Sequence, residues 1–229
     1  MFTNQPVMLV ILTFAILLAA IPALLVFIIL AGRSKNLWFS FILGGFGWIG
    51  ALILRLIPLQ APILFYGASI ATFNIFYFAY AALLAGCFEE GVRYLLLGKV
   101  KLTRLGLKNI LSLGLGWGFM EALLIYILGV LPLLYLGYKL TLMNILPEVV
   151  ERNITVLLHV SLTFIVFNAF IAGKKFLLIA VAFHSLINFI ALYLFHIITL
   201  PLWHVELIVL LATLIITTYA YILIRKLRS

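Results

Sequence analysis

The sequence predicts an all-α integral membrane protein, a bundle of about seven transmembrane helices. Three observations carry this prediction: 67% of the 229 residues are apolar, only 9% are charged, and long apolar runs recur along the whole chain. Such a composition leaves too little polar surface for a globule in water, and the runs are too long for the alternating strands of an outer-membrane barrel. No stretch of mixed composition could form a soluble domain, so residues 1–229 are expected to be a single membrane domain.

Seven apolar runs approach or exceed the roughly 20 residues that a helix needs to cross the hydrocarbon. In chain order the predicted spans are 6–32, 37–57, 69–98, 109–134, 149–172, 176–199 and 203–225. The apolar stretch 61–68 is broken by Pro58 and Pro62, so a re-entrant or interfacial piece is expected there. Because no signal or transit segment is recognisable, the sequence favours a multi-pass protein of a prokaryotic plasma membrane.

Basic residues are distributed unevenly between alternate loops. Three of them, Arg55, Lys139 and Arg152, fall on one predicted side of the membrane, against eleven on the other. The eleven are Arg33, Lys35, Lys99, Lys101, Arg104, Lys108, Lys174, Lys175, Arg225, Lys226 and Arg228. By the positive-inside rule the N-terminus lies outside and the C-terminus in the cytoplasm. The net charge of +9 therefore reflects orientation in a lipid bilayer, and nucleic-acid binding is not expected.

Ionisable and amide side chains occur inside four of the predicted spans, where each is a candidate functional residue because an unpaired charge in hydrocarbon is costly. They are Glu89, Glu90 and Arg93 in the third span, Glu121 in the fourth, His159 in the fifth, and His184 and Asn188 in the sixth. Counting about 1.5 Å per residue from the cytoplasmic helix ends places them in one layer of the cytoplasmic half of the bilayer. We expect a polar pocket that opens toward the cytoplasm.

Helical spacing relates these groups to one another. Glu89 and Glu90 precede Arg93 by four and three residues, so one carboxylate can hold the guanidinium while the other faces a site. In the fifth span, Glu151, Thr155, His159 and Thr163 form a polar stripe with a period of four. Small residues, Ala85, Gly86, Gly114 and Gly118, are expected to let the neighbouring backbones approach closely. Glu148, Glu151 and Arg152, near the outer surface, are expected to be solvated surface groups.

The charge count of the layer restricts its chemistry. Three glutamates and one arginine leave two negative charges, which a divalent metal, protonated carboxyls or an imidazolium could neutralise. Glutamate and neutral histidine are ligands of catalytic zinc sites, so Glu121, His159 and His184, with Glu89 or Glu90, are candidate ligands of Zn²⁺ or another divalent metal. The sequence leaves these alternatives open.

Four segments in order on successive spans resemble the YhfC family of predicted intramembrane metalloproteases, a relative of the PrsW and CAAX-protease-like (CPBP) proteins. The segments are FEEGVR, GLGWGFME, ERNITVLLHVSLT and FHSLIN, within about residues 85–190. The resemblance implies that Glu89 or Glu90 activates the attacking water with His159, and that His184 and Asn188 bind a metal or stabilise the oxyanion. Trp117 is a departure, because a histidine often stands there in the YhfC pattern.

The sequence thus predicts an intramembrane endopeptidase that cuts a membrane-associated peptide or protein near the cytoplasmic face with a glutamate-activated or metal-bound water. Glu89 is the expected base, Glu90 and Arg93 the orienting pair, and His159 and His184 are ligands or transition-state stabilisers. Two alternatives remain: a proton- or metal-coupled transporter, whose polar groups would span the whole membrane, and a non-catalytic, immunity-type protein that binds a peptide.

Overall fold

The computed structural model describes residues 5–70, 74–135 and 142–226. Within these ranges seven helices are long and apolar enough to cross a membrane, and no strand is present, as the sequence predicts. The helices are α1 (Gln5–Ala31), α2 (Lys35–Tyr66), α3 (Ile75–Lys99), α4 (Leu107–Tyr135), α5 (Leu142–Asn168), α6 (Lys175–His196) and α7 (Leu202–Lys226). A short 3₁₀ turn, Leu102–Arg104, connects α3 to α4.

Helix α2 is longer than predicted. The expectation of a separate re-entrant or interfacial piece is wrong for residues 61–66, which continue the helix past Pro58 and Pro62 to Tyr66. Pro62 has no N–H, so it leaves the carbonyl of Pro58 without its usual helical partner. The Tyr80 hydroxyl of α3 donates to that carbonyl at 2.8 Å. A side chain of the neighbouring helix thus satisfies the freed carbonyl, as membrane helices require.

Helix α5 is at the centre of the bundle. It packs against α1, α3, α4, α6 and α7, and it has the largest buried share of any predicted span in the described residues. Helix α4 is held between α2 and α5, and α3 packs mainly against α6 and α2. Helices α3, α4 and α6, which carry the other predicted site residues, therefore all contact α5.

Two glycines bring these helices close together, as the sequence predicts. A Cβ atom on Gly118 of α4 would lie 2.7 Å from Cα of Val156 in α5, and one on Gly86 of α3 would lie 2.7 Å from the carbonyl oxygen of Val181 in α6. No larger residue fits at such distances without separating the helices. The close approach allows polar side chains of α3, α4, α5 and α6 to reach each other.

Candidate active site

Three buried side chains from three helices converge at the centre of the bundle. One ligand atom from each of Glu89 in α3, His159 in α5 and His184 in α6 lies within 4.8 Å of the other two. All three side chains are at least 97% buried. The imidazole rings of His159 and His184 are 5.4 Å apart between centroids, in an edge-to-face arrangement. The predicted meeting of α3, α5 and α6 is thus present in the structure.

Glu90 is fully buried and holds two partners. One carboxylate oxygen forms an ion pair with Arg93, one turn along α3, and the other accepts a hydrogen bond from Nδ1 of His184 at 2.7 Å. A histidine that donates from Nδ1 to a carboxylate has its Nε2 lone pair available for a metal or for hydrogen bonding to a substrate. Glu90 therefore fixes the orientation and the tautomer of His184.

His159 is held through both ring nitrogens. Arg93 lies 2.9 Å from Nδ1, and Glu121 of α4 lies 2.5 Å from Nε2. Because a guanidinium can only donate, Nδ1 must accept, and the ring proton of a neutral His159 is on Nε2, where it is donated to Glu121. Coordination of a metal by His159 would replace one of these two hydrogen bonds.

Glu89 is positioned by two residues that sequence analysis did not place at the site. Arg55 of α2 donates to one carboxylate oxygen at 2.7 Å, and Nε1 of Trp117 in α4 donates to the other at 3.1 Å. The Arg93 guanidinium lies 4.3 Å from the centre of the Trp117 ring, a distance typical of a cation–π contact. Trp117 thus links the two charged groups of α3, Glu89 and Arg93.

Two expectations about charge are wrong. Arg152 is not a solvated surface group: it is buried and pairs with Glu151 and, at 3.9 Å, with Glu121. The glutamates of the site are also not left uncompensated, because each has an arginine within salt-bridge distance. The pairs are Glu89 with Arg55, Glu90 with Arg93, and Glu121 with Arg152. Arg55 and Arg93 thus neutralise Glu89 and Glu90 without a metal, whereas Glu121 shares Arg152 with Glu151.

A small cavity adjoins the cluster. Its volume is about 50 Å³, and its polar lining comes from Glu121, Glu151, Thr155, His159, His184 and Asn188. This space is sufficient for a few water molecules or an ion with its ligands. Asn188, one turn after His184, borders the cavity and places an amide beside the two histidines.

In the described residues, the space beside the cluster continues away from the basic helix ends, whereas the sequence predicts a pocket that opens toward them. Within the part of the chain that the structure describes, fully buried apolar side chains such as Leu97, Leu113, Leu162 and Ile165 lie between the cluster and these ends, together with buried neutral polar residues such as Ser112 and Thr163. A second cavity of about 330 Å³ lies on the other side of the cluster, toward the opposite helix ends. It shares Glu121, Glu151 and Asn188 with the smaller one.

The donor set fits a divalent metal. One glutamate and two histidines with ligand atoms within 4.8 Å match the His₂Glu set of catalytic zinc sites. The hydrogen bond from Nδ1 of His184 to Glu90 is the outer contact that a metal-bound histidine usually has. Glu121, also predicted as a ligand, is not in this group and lies 2.5 Å from Nε2 of His159.

A family model described as YhfC intramembrane metalloprotease matches residues 14–142. The match covers more than half of the chain and includes Glu89, Glu90, Arg93 and Glu121. It ends before His159 and His184, so the part of the sequence resemblance beyond residue 142 lies outside it. No curated protein and no solved structure matches the chain.

Proposed function

The chain belongs to the YhfC intramembrane metalloprotease family, and we propose that it is an endopeptidase that hydrolyses a peptide bond of a membrane-associated peptide or protein at Glu89, His159 and His184. The observation that carries this proposal is the convergence of these three buried side chains, two of which, His159 and His184, line a cavity that can hold water. Buried ionisable groups in a membrane bundle are costly, so their meeting at one point favours a functional site.

Glu89 is the general base in this proposal. Its carboxylate uses one acceptor position for Arg55 and one for Trp117, and a carboxylate has about four such positions. It can therefore accept a proton from a water while its two partners keep it charged and oriented. The deprotonated water adds to the peptide carbonyl carbon, and Glu89 returns the proton to the leaving amine, so that one water yields a new carboxyl group and a new amine.

The other polar residues of the site orient the two histidines and stabilise the charge that develops during the reaction. Glu90 and Arg93 hold the rings of His184 and His159 through the hydrogen bonds described above. The amide of Asn188, at the wall of the small cavity, is suited to stabilise the negative charge that develops on the carbonyl oxygen. Glu121 keeps the proton of His159 on Nε2.

Glu89, His159 and His184 would also hold a divalent metal such as zinc, which supplies a Lewis acid that polarises the carbonyl. Because Glu89 and Glu90 each already pair with an arginine, the support for a metal comes from the donor set and the family rather than from the charge. Glu121 would then remain outside the ligand shell, as the partner of His159.

A transporter is less well supported. A transport pathway must reach both faces of the membrane in turn. In the described residues, the buried side chains between the cluster and the basic helix ends are apolar or neutral polar, whereas buried charged groups continue in the other direction, to Arg152 and Glu206. The arrangement is that of a site reached from one side.

Removal of metal provides a direct test. Purified protein reconstituted in liposomes is expected to cleave peptides from a library of single-span membrane segments, and a strong chelator should reduce the cleavage at least about 100-fold, since the Lewis acid is lost. Added Zn²⁺ should restore it. Mass spectrometry of the products measures both effects.

The same experiment separates the alternatives. Binding of peptides without new termini would favour an immunity-type protein. Movement of protons or metal into the liposomes without cleavage would favour a transporter. Cleavage that a chelator does not reduce would support an endopeptidase that works without a metal.

A further inference from the structure

The larger cavity has no role in the hydrolysis as described so far. It lies among α2, α3, α4, α5 and α6 and has a volume of about 330 Å³. Most of its wall is aliphatic, with Leu52, Leu56, Leu59, Ala81, Ala82 and Ile125 among its residues. This volume is at the lower end of ligand pockets and is enough for the side chains of a short piece of peptide.

The cavity leads directly to the candidate catalytic cluster. Glu121, Glu151, Asn188 and Ala191 border both this cavity and the small cavity beside the histidines. A chain segment that occupies the larger cavity would therefore have its next peptide bond close to His159 and His184.

The position of the cavity along the helices gives its direction. His159 and His184 are each nine residues from the basic ends of α5 and α6, or about 14 Å at 1.5 Å per residue. Leu56, Ala81 and Leu192 are 21, 18 and 17 residues from the basic ends of α2, α3 and α6, or about 25 to 32 Å. The cavity thus lies in the half of the bundle away from the basic loops.

The charged side chains in the wall of the cavity are already in ion pairs. Arg55 is paired with Glu89, and Arg152 is paired with Glu151 and Glu121. With these charges engaged by each other, the wall offers an occupant mainly aliphatic contacts and one amide, that of Asn188. Such a wall favours uncharged, apolar side chains, and an amide can pair with a peptide backbone.

We propose that this cavity is the substrate site, that it is entered from the membrane face opposite the basic loops, and that it takes a short apolar stretch of extended peptide next to the bond that is cut. This inference rests on the proposed function. It places the cut away from the cytoplasmic surface if the basic loops are cytoplasmic.

Cysteine labelling tests the access route without a known substrate. The native Cys87 is first replaced by alanine, and single cysteines are then introduced by Ala81→Cys in the cavity wall and by Leu83→Cys on the same helix. Leu83 is 52% exposed on the outer surface of the bundle, so it is the matched lipid-facing control. Ser34→Cys and His204→Cys, at exposed positions near opposite ends of the helices, mark the two faces.

A charged, membrane-impermeant thiol reagent is applied to either face of sealed vesicles. We expect it to label Ala81→Cys from the same face as His204→Cys, and at least about ten times faster than Leu83→Cys, because only a thiol in contact with water forms the reactive thiolate. Labelling of Ala81→Cys from the face that labels Ser34→Cys would overturn the inference. So would labelling as slow as that of Leu83→Cys, which would mean that the cavity is closed or filled by lipid.

A second arm links the cavity to cleavage. A bulky adduct on Ala81→Cys should reduce cleavage of the membrane-peptide library at least about tenfold, while the same adduct on Leu83→Cys should not. If both labelled proteins cleave as well as before, the cavity is not the substrate site although the proposed function stands. If the unlabelled protein cleaves nothing, the proposed function fails and a peptide occupant fails with it, whatever the labelling shows about access.

Discussion

Replacing Glu89 with glutamine is expected to reduce peptide cleavage at least about 100-fold, which is the lower limit of what a positioned general base contributes. The amide cannot take a proton from water at neutral pH. It still offers an oxygen to Arg55 or Trp117, which hold the native carboxylate at 2.7 and 3.1 Å, so the side chain should stay in place. Rates of product formation with reconstituted protein measure the effect.

Glu148→Gln is the matched control for this substitution. Glu148 also lies in a transmembrane helix, α5, but it is not among the three residues, Glu89, His159 and His184, that converge at the cluster. Its substitution should leave the rate within about twofold, as expected for a change outside the reacting groups. If Glu89→Gln and Glu148→Gln retain the same activity, Glu89 is not the base.

Replacing Arg93 with alanine is expected to have the largest effect on stability, a loss of about 3–5 kcal/mol in the free energy of unfolding. Arg93 is fully buried, pairs with Glu90, donates to His159 and lies over the ring of Trp117. Its removal leaves the carboxylate of Glu90 buried with only His184 as a partner. Thermal or denaturant unfolding in detergent measures the difference.

Arg225→Ala serves as the control for Arg93→Ala. Arg225 is exposed in the last turn of α7, where a charged side chain contributes little to stability. If the two alanine variants unfold at the same temperature, the buried network around Arg93 does not hold the bundle together. If Arg93→Ala unfolds at a much lower temperature than Arg225→Ala, any loss of cleavage in Arg93→Ala has to be attributed to folding rather than to chemistry.

The fold and most of the site could be predicted from the sequence because a bilayer leaves few alternatives. Long apolar runs must be helices, and ionisable residues inside them stand out against the background. The same contrast identified Glu89, His159 and His184, which the structure brings together. The family match agrees with this prediction over the first part of the chain.

Arg55, Arg152 and Trp117 were missed at the site for different reasons. The prolines after Arg55 suggested that a helix had ended, whereas Tyr80 satisfies the carbonyl freed by Pro62 and α2 continues. Arg152 was placed near the outer surface because the sequence does not reveal which neighbours cover it. Trp117 stands out in the sequence only as a departure from the family pattern, and tryptophan is common at membrane interfaces, so the contact of its Nε1 with Glu89 could not be predicted.

The direction of the cavity could not be predicted either. Counting residues gives the height of each Cα atom along its helix, but it does not show on which side of the cluster packed side chains fill the space. The large buried side chains between the cluster and the basic helix ends are ordinary leucines and isoleucines such as Leu113 and Ile165, which are indistinguishable in sequence from residues that face lipid. Tertiary packing alone decides on which side of the histidines the space remains.

The measurement that tests the central claim most directly is the metal content of the purified protein compared with that of the single variants Glu89→Ala, His159→Ala and His184→Ala. We expect about one equivalent of divalent metal in the wild type, and a loss of at least about tenfold in affinity in each variant, because each removes one ligand of a three-ligand site. The control Glu148→Ala should retain the metal. A wild type that cleaves peptide while it contains no metal, or three variants that bind metal as tightly as the wild type, would contradict a metal centre at Glu89, His159 and His184.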